Sequence, residues 1–274
     1  DQPHTHKAWV NRNTKPIKLQ YHESDIPGYF ALAKQFTLCD NYFTDVAGPS
    51  TPNHLMVIAA DSPIIDNPHP KDLLQPQPPY TLPSLPEQLE KSGLTWGSYG
   101  SYAHQFIKHL QKSPNNHASS TFLSHVASGT LPAVSWVYGP KGSSEHPVES
   151  VAMGEQWTID QIKALIKNGY WKNTAIFITW DDWGGWYDHV TPPELEKWKD
   201  GSQFRYGSRV GCIVVSPFAK AGYISSELNS HVSIVKFVED TFSLPSLNNR
   251  TNAANGMKDC FDFAQSPLSA PTGL

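Results

Sequence analysis

Long apolar runs are missing from this sequence. No stretch approaches the roughly 20 consecutive apolar residues that a membrane-spanning helix requires. Cysteine is scarce as well: Cys39, Cys212 and Cys260 are the only three. Their spacing matches no zinc motif, and the odd count leaves at least one thiol free while allowing one disulfide. Charge is thin, at 17% of residues with a formal net of -4, which gives no electrostatic reason to expect nucleic acid as a partner. The opening Asp1-Gln2-Pro3-His4 shows neither an initiating Met nor the basic-then-apolar pattern of a signal peptide. It reads as the start of a processed or cut-out piece.

What the sequence does contain is proline, glycine and tryptophan, with 23, 18 and 9 copies in 274 residues. Such a chain carries much ordered loop, and its aromatic side chains are available to line pockets. The length suits a single large α/β domain spanning 1–274. Short apolar runs bounded by turn signals predict strands at Thr95 to Tyr99, Ala133 to Tyr138, Thr174 to Trp180 and Gly211 to Val215. The last two are nearly continuous apolar runs, the pattern of strands buried on both faces. Helical patterns fall at Tyr29 to Phe36, Pro86 to Lys91, Gln156 to Lys167 and Val232 to Phe242, the third stopped by Asn168-Gly169. This alternation predicts a mostly parallel central sheet flanked by helices. The proline-rich stretch Ser62 to Pro83 and the stretch Gly139 to Ser150 read as loops, and a polar tail starts near residue 245.

Two segments carry chemistry. The strand Thr174 to Trp180 runs straight into Asp181-Asp182, at the carboxyl end where ligands gather in parallel sheets. Adjacent carboxylates repel and resist desolvation unless a cation compensates, and oxygen ligands suit a divalent metal. The plain alternative is a turn-capping Asp181 beside a solvated Asp182. Gly184-Gly185 permits a sharp turn there, and Asp188-His189 is placed to orient or supplement the site. In the second segment, Gly48-Pro49-Ser50-Thr51-Pro52-Asn53 precedes an apolar run from His54 to Ala60. Its hydroxyl is either a helix cap or, at a phosphate-binding helix N-terminus, a nucleophile.

Twelve histidines make functional clustering plausible. His4 and His6 form a His-x-His, His104 sits among aromatics, and His146 lies in Glu145-His146-Pro147. Imidazole suits donation to phosphate oxygens or protonation of a leaving oxygen. His109, His117 and His125 carry no such pattern.

Together these residues resemble a bacterial phosphoesterase family that includes acid phosphatase A and the phosphatidylcholine-type phospholipases C, related in fold to alkaline phosphatases and sulfatases. The match runs from Asp1–His6 to the helix near Ser230-His231-Val232-Ser233. It is most specific at Gly48 to Asn53 and at Trp180 to Val190, which is similar to an Asp-Glu/Asp-x-Gly-Gly-x-Tyr-Asp-His-Val signature.

The resemblance implies a secreted or periplasmic phosphoester hydrolase with one divalent metal ion held by Asp181 and Asp182. It further implies Ser50 as nucleophile of a phosphoenzyme, Thr51 and Asn53 on the substrate, and His4, His6, His104 and His146 around the phosphoryl group. The substrate is then a phosphorylated small molecule or a phospholipid head group. Trp183, Trp186, Tyr187, Tyr99 and Tyr102 are candidates for choline contact and peripheral membrane contact. Members of that family also carry an upstream Glu-Asn-x-Ser-Phe-Asp-like segment on the first strand, which supplies a Glu and an Asn to the metal. The chain begins downstream of it, so the domain is expected to be N-terminally truncated and its ligand set incomplete. That departure implies the alternative of a relative that binds phosphorylated head groups or glycans without turnover.

Overall fold

Residues 20–71, 74–197 and 203–274 are described by a computed structural model. His4 and His6 lie outside the described residues.

Four strands form one sheet. β1 (Thr37–Cys39) stands beside β10 (Tyr223–Ser225) in parallel, and β9 (Cys212–Val215) runs antiparallel to both β1 and β6 (Ile176–Thr179). β1, β6 and β10 therefore share one direction, and β9 alone opposes it. A second sheet is wholly parallel, with β3 (Trp96–Tyr99) between β4 (Asn116–His117) and β5 (Val134–Val137). Two short pairs complete the strands: β2 (Tyr42–Phe43) with β11 (Asn229–Ser230), and β7 (Glu194–Lys197) with β8 (Gln203–Arg205). The expected mostly parallel sheet is thus a mixed α/β assembly in separate parts, and the predicted Gly211 to Val215 strand is its antiparallel member.

The helices follow their local signals. α1 (Pro27–Gln35) starts on its proline. α2 (Ser50–Ala59) begins at the hydroxyl segment itself. Ser84 caps α3 (Leu85–Lys91) by accepting the Glu87 amide. α4 (Thr121–Ser128), which no periodicity announced, ends on Gly129 at φ +74°. α5 (Val151–Lys167) starts earlier than expected because the Ser150 side chain accepts the Met153 amide. It buries Ile159, Ile162 and Leu165. α6 (His231–Phe242) opens with a Ser230/Ser233 capping box, reinforced by the buried Asp45 carboxylate, which accepts the Val232 amide at 3.1 Å. α7 (Asn249–Ala253) is capped by Asn248.

One large core cluster gathers α2, α3, β3 and Val232 and Val235 of α6. Another gathers α1, β1, β9 and the inner face of α5. The tail past Leu244 is not merely wrapped over the surface, since Met257, Cys260 and Phe261 are buried in the second core. All three cysteines are free and buried, with the Cys39 and Cys260 sulfurs 3.7 Å apart. The described part of the Ser62 to Pro83 stretch contains neither helix nor regular strand. No described helix is long and apolar enough to cross a membrane.

Burial separates the two apolar strands that the sequence treats alike. All four residues of β9 are buried, whereas in β6 only Ile178 is. The reason is position: β9 lies between β1 and β6, while β6 ends its sheet.

Candidate active site

β6 delivers Trp180, Asp181 and Asp182 to one end of the sheet, and α2 points its first turn at them. The Ser50 hydroxyl donates to Asp182 Oδ2 at 3.2 Å. One helical turn further, His54 Nε2 lies 3.3 Å from Asp181 Oδ2. Residues four apart share a helix face, so α2 presents a hydroxyl and an imidazole to two adjacent carboxylates. A Cβ at Gly48 would run into the Ile65 carbonyl oxygen, which is why the loop entering α2 needs glycine.

The two carboxylates titrate differently. Burial pushes the Asp181 carboxyl upward, but the hydrogen bond and charge of His54, with the Ser50 hydroxyl, outweigh it and hold Asp181 well below the usual range. Asp182 is raised, by burial and then by repulsion from Asp181, against the opposing Gly184 amide. That amide reaches Asp182 Oδ1 at 2.8 Å because Gly184 and Gly185 adopt φ of +57° and +94°.

Supporting contacts fix the strand end. His231, the first residue of α6, places Nε2 3.0 Å from the Asp181 carbonyl and Nδ1 2.9 Å from the Tyr42 hydroxyl. A carbonyl only accepts, so Nε2 carries the proton and Nδ1 accepts from Tyr42. Burial lowers the His231 pKa, in keeping with this neutral ring. Trp180 Nε1 donates to Glu145 at 2.8 Å, and Glu145 also accepts the Tyr29 hydroxyl at 2.5 Å. Tyr102 and Tyr138 flank the His54 ring at centroid distances of 4.7 and 5.1 Å.

The expected residues separate into those the fold brings together and those it does not. Ser50, Asp181 and Asp182 converge. His146 is exposed on the cleft wall, with Nδ1 2.5 Å from the Pro147 carbonyl oxygen. His104 is not brought to the cleft: its ring is fully buried, stacked on Trp96 and bonded to Ser98 Oγ at 3.1 Å. Burial lowers its pKa to about 3, so it stays neutral.

Asn53 is spent on the loop before α2. It accepts the Val46 amide at 2.9 Å and donates to the carbonyls of Val46, Gly48 and Pro49. Thr51 is buried, with its hydroxyl 2.9 Å from that of Tyr102 and its amide on Asn67. Asp188 pairs with Arg209 at 3.3 Å instead of joining the acidic pair. Of the suggested aromatics, Tyr102 borders the site, Trp186 packs on Tyr21, and Tyr99 is buried with its hydroxyl on His125. His54 was the residue missed, and its spacing of four from Ser50 was the available signal.

The donor set is chemically suited to a hard cation: two carboxylates and a hydroxyl, with Asp182 raised by burial and then by its neighbour's charge. Among the described residues, however, no group of three His, Cys, Asp or Glu side chains converges as a metal cage. The cleft opens into a cavity of about 1340 Å³ that continues inward between β5 and β6.

A phosphoesterase family model matches residues 3–245. A non-hemolytic phospholipase C from Pseudomonas aeruginosa is 28% identical, over 93% of this chain and 45% of its own length. Phospholipase C B from Mycobacterium tuberculosis is also 28% identical, over 93% of this chain and 58% of its own. The chain thus spans about half the length of these curated relatives. Among solved structures, murine ectonucleotide pyrophosphatase / phosphodiesterase 5 superposes with a TM-score of 0.60 at 10% identity, covering 86% of this chain and 95% of that one. The fold is accordingly the α/β fold expected, that of alkaline-phosphatase-like and sulfatase-like proteins.

Proposed function

The chain belongs to the phosphoesterase family, and on that premise we propose that its cleft hydrolyses phosphoric esters with Ser50 as nucleophile. The observation that carries this reading is the Ser50 hydroxyl at the start of α2, 3.2 Å from Asp182 and beside the His54–Asp181 pair.

Ser50 Oγ forms the new bond to phosphorus while its proton passes to Asp182, whose raised pKa makes it a suitable acceptor. The phosphorus–oxygen bond to the alcohol breaks, and the departing oxygen takes a proton from His146 at the mouth. Water then attacks phosphorus and gives a proton back to His146, the bond from Ser50 Oγ to phosphorus breaks, and Asp182 returns its proton to restore the hydroxyl. His54 holds Asp181 ionised throughout, and the first turn of α2 faces the phosphoryl oxygens with its dipole. Asp181, Asp182 and Ser50 are the residues that would hold a divalent metal ion, which when bound neutralises charge on the phosphoryl group. By analogy with the phospholipases C it resembles, the substrate is a phosphodiester with a phospholipid head group, met outside the cytoplasm.

Ser50→Ala tests the reading on a chromogenic phosphodiester: turnover falls to background if it is right, and retained turnover overturns it. Full activity after exhaustive chelation removes the metal from the scheme. One observation favours a second reading, since the described residues alone form no metal cage. In that case the cleft binds phosphorylated head groups without turnover, and calorimetry with phosphocholine shows binding in a preparation that releases no product.

A further inference from the structure

Ser50 opens α2 and Asp181-Asp182 follow directly on β6, but His146 lies in the long connection between β5 and α5. Its turn closes mainly on itself. Glu149 accepts the Ser144 amide at 3.1 Å and the Ser144 hydroxyl at 2.7 Å, and the Glu149 amide donates to the His146 carbonyl at 2.6 Å. Bonds of this kind shape a turn without tying it to the protein body.

Glu145 supplies the tie. Among the described residues, the side-chain bonds that join residues 144–149 to other elements are those of Glu145. Trp180 Nε1 donates to its Oε2 at 2.8 Å, and the Tyr29 hydroxyl donates to its Oε1 at 2.5 Å. Trp180 is the residue before Asp181, and Tyr29 belongs to α1. The two donors also meet each other edge to face, with ring centroids 5.3 Å apart. The Tyr29 amide in turn donates to Glu155 of α5 at 2.8 Å. The turn, α1, α5 and the end of β6 thus share one cluster centred on a single carboxylate.

The backbone is bent to place that carboxylate. Glu145 holds φ of +63°, a left-handed conformation that a non-glycine residue keeps only where its surroundings impose it. α5 makes room for the side chain, because a Cβ on Gly154 would overlap Glu145 Cγ and sit 2.7 Å from Oε1. Glycine within a helix is unfavourable on its own account, so the start of α5 is cut to fit Glu145.

His146 is the neighbour that this arrangement steadies. Its Nδ1 lies 2.5 Å from the Pro147 carbonyl, which only accepts, so Nδ1 carries a proton and Nε2 is left to trade protons with a substrate. The ring also acts on the acidic pair: burial and Asp181 raise the Asp182 carboxyl, and the His146 charge opposes that rise.

We propose that Glu145 is a positioning residue, which latches the His146 turn to Trp180 and Tyr29 and so fixes the imidazole relative to Asp181 and Asp182. On the hydrolytic reading above, on which this role rests, His146 gives its proton to the departing oxygen as that oxygen takes the electron pair of its bond to phosphorus. Glu145 itself touches neither substrate nor phosphorus. Its effect is confined to the step that needs a proton.

The test compares two phosphocholine esters that differ in the leaving group. A nitrophenolate departs without a proton, whereas a simple alkoxide needs one. Glu145→Gln keeps the shape of the side chain but turns an NH2 toward one of its two donors. It should lower kcat on the alkyl ester by ~30-fold or more and on the nitrophenyl ester by ~3-fold at most, with KM little changed. His146→Ala should show the same selectivity, and adding Glu145→Gln to it should cost nothing further. Equal losses on both esters, or a further loss in the double variant, would reduce Glu145 to a structural residue and overturn the proposal. Amide exchange gives a readout free of turnover: Glu145→Gln should speed exchange at residues 144–149 by ~10-fold or more, while Cys212–Val215 keeps its protection. Unchanged exchange there overturns the latch whatever the kinetics. Wild-type protein that hydrolyses neither ester sinks the hydrolytic reading instead, and the exchange data alone then decide whether Glu145 holds the turn.

Discussion

β9 and β6 are hydrogen-bonded neighbours with nearly the same kind of sequence, yet they live in different surroundings. Cys212–Val215 is buried throughout, with α1 against it and a strand on each side. Ile176–Thr179 has a strand on one side and the cavity on the other. An apolar run records the burial a strand is built for, and its neighbours decide how much of that burial is realised. The packed half of the molecule serves as scaffold, and the open half carries Asp181 and Asp182 at its rim.

The largest effect expected is at that rim. Ser50→Ala should lower turnover by on the order of 10³-fold or more while leaving the melting temperature nearly unchanged, which separates chemistry from scaffold. A shift in melting temperature of the size seen for core variants would blur the contrast.

Next comes the packed side, probed by pH. The His104 pKa is lowered on folding, so between about 6.5 and its folded value of about 3 the unfolded chain binds a proton that the folded chain refuses. Stability is therefore lost as pH falls through that window, by up to about 5 kcal/mol. Denaturant titrations at several pH values check this. His104→Gln should flatten the slope, and an unaltered slope would assign the loss to other groups.

Two matched truncations then compare the strands directly. Ile213→Ala in β9 should cost about 3 kcal/mol, as expected of a fully packed aliphatic side chain. Ile176→Ala in β6 should cost only about 1 kcal/mol, because its side chain is half-exposed and borders existing empty space. Equal losses in urea unfolding would erase the distinction between the two regions.

Local signals were legible in the sequence. The strand before Asp181 and the stop at Asn168-Gly169 rest on neighbours along the chain and are where they were expected, while the helix expected over His54 to Ala60 opens four residues earlier, at Ser50. The direction of β9 was not legible, because an apolar run carries no record of which way its partners run. Nor was the division of the histidines. His104 and His54 both sit among aromatic rings, but only the fold decides that one meets Trp96 and the other Asp181. Asn53 and Thr51 look like substrate contacts in sequence because they adjoin Ser50. On the helix they turn inward, and their polar groups are consumed by the loop and by Tyr102.

The contact between His231 and the main-chain carbonyl of Asp181 separates where residue 181 sits from what it is. α6 grips the peptide unit through its carbonyl, a group that every residue carries. The identity of residue 181 is thereby uncoupled from its location, so an altered side chain inherits the same address at the rim. An exchanged side chain at that position would remove the carboxylate that faces His54 and leave the peptide unit presenting it in register.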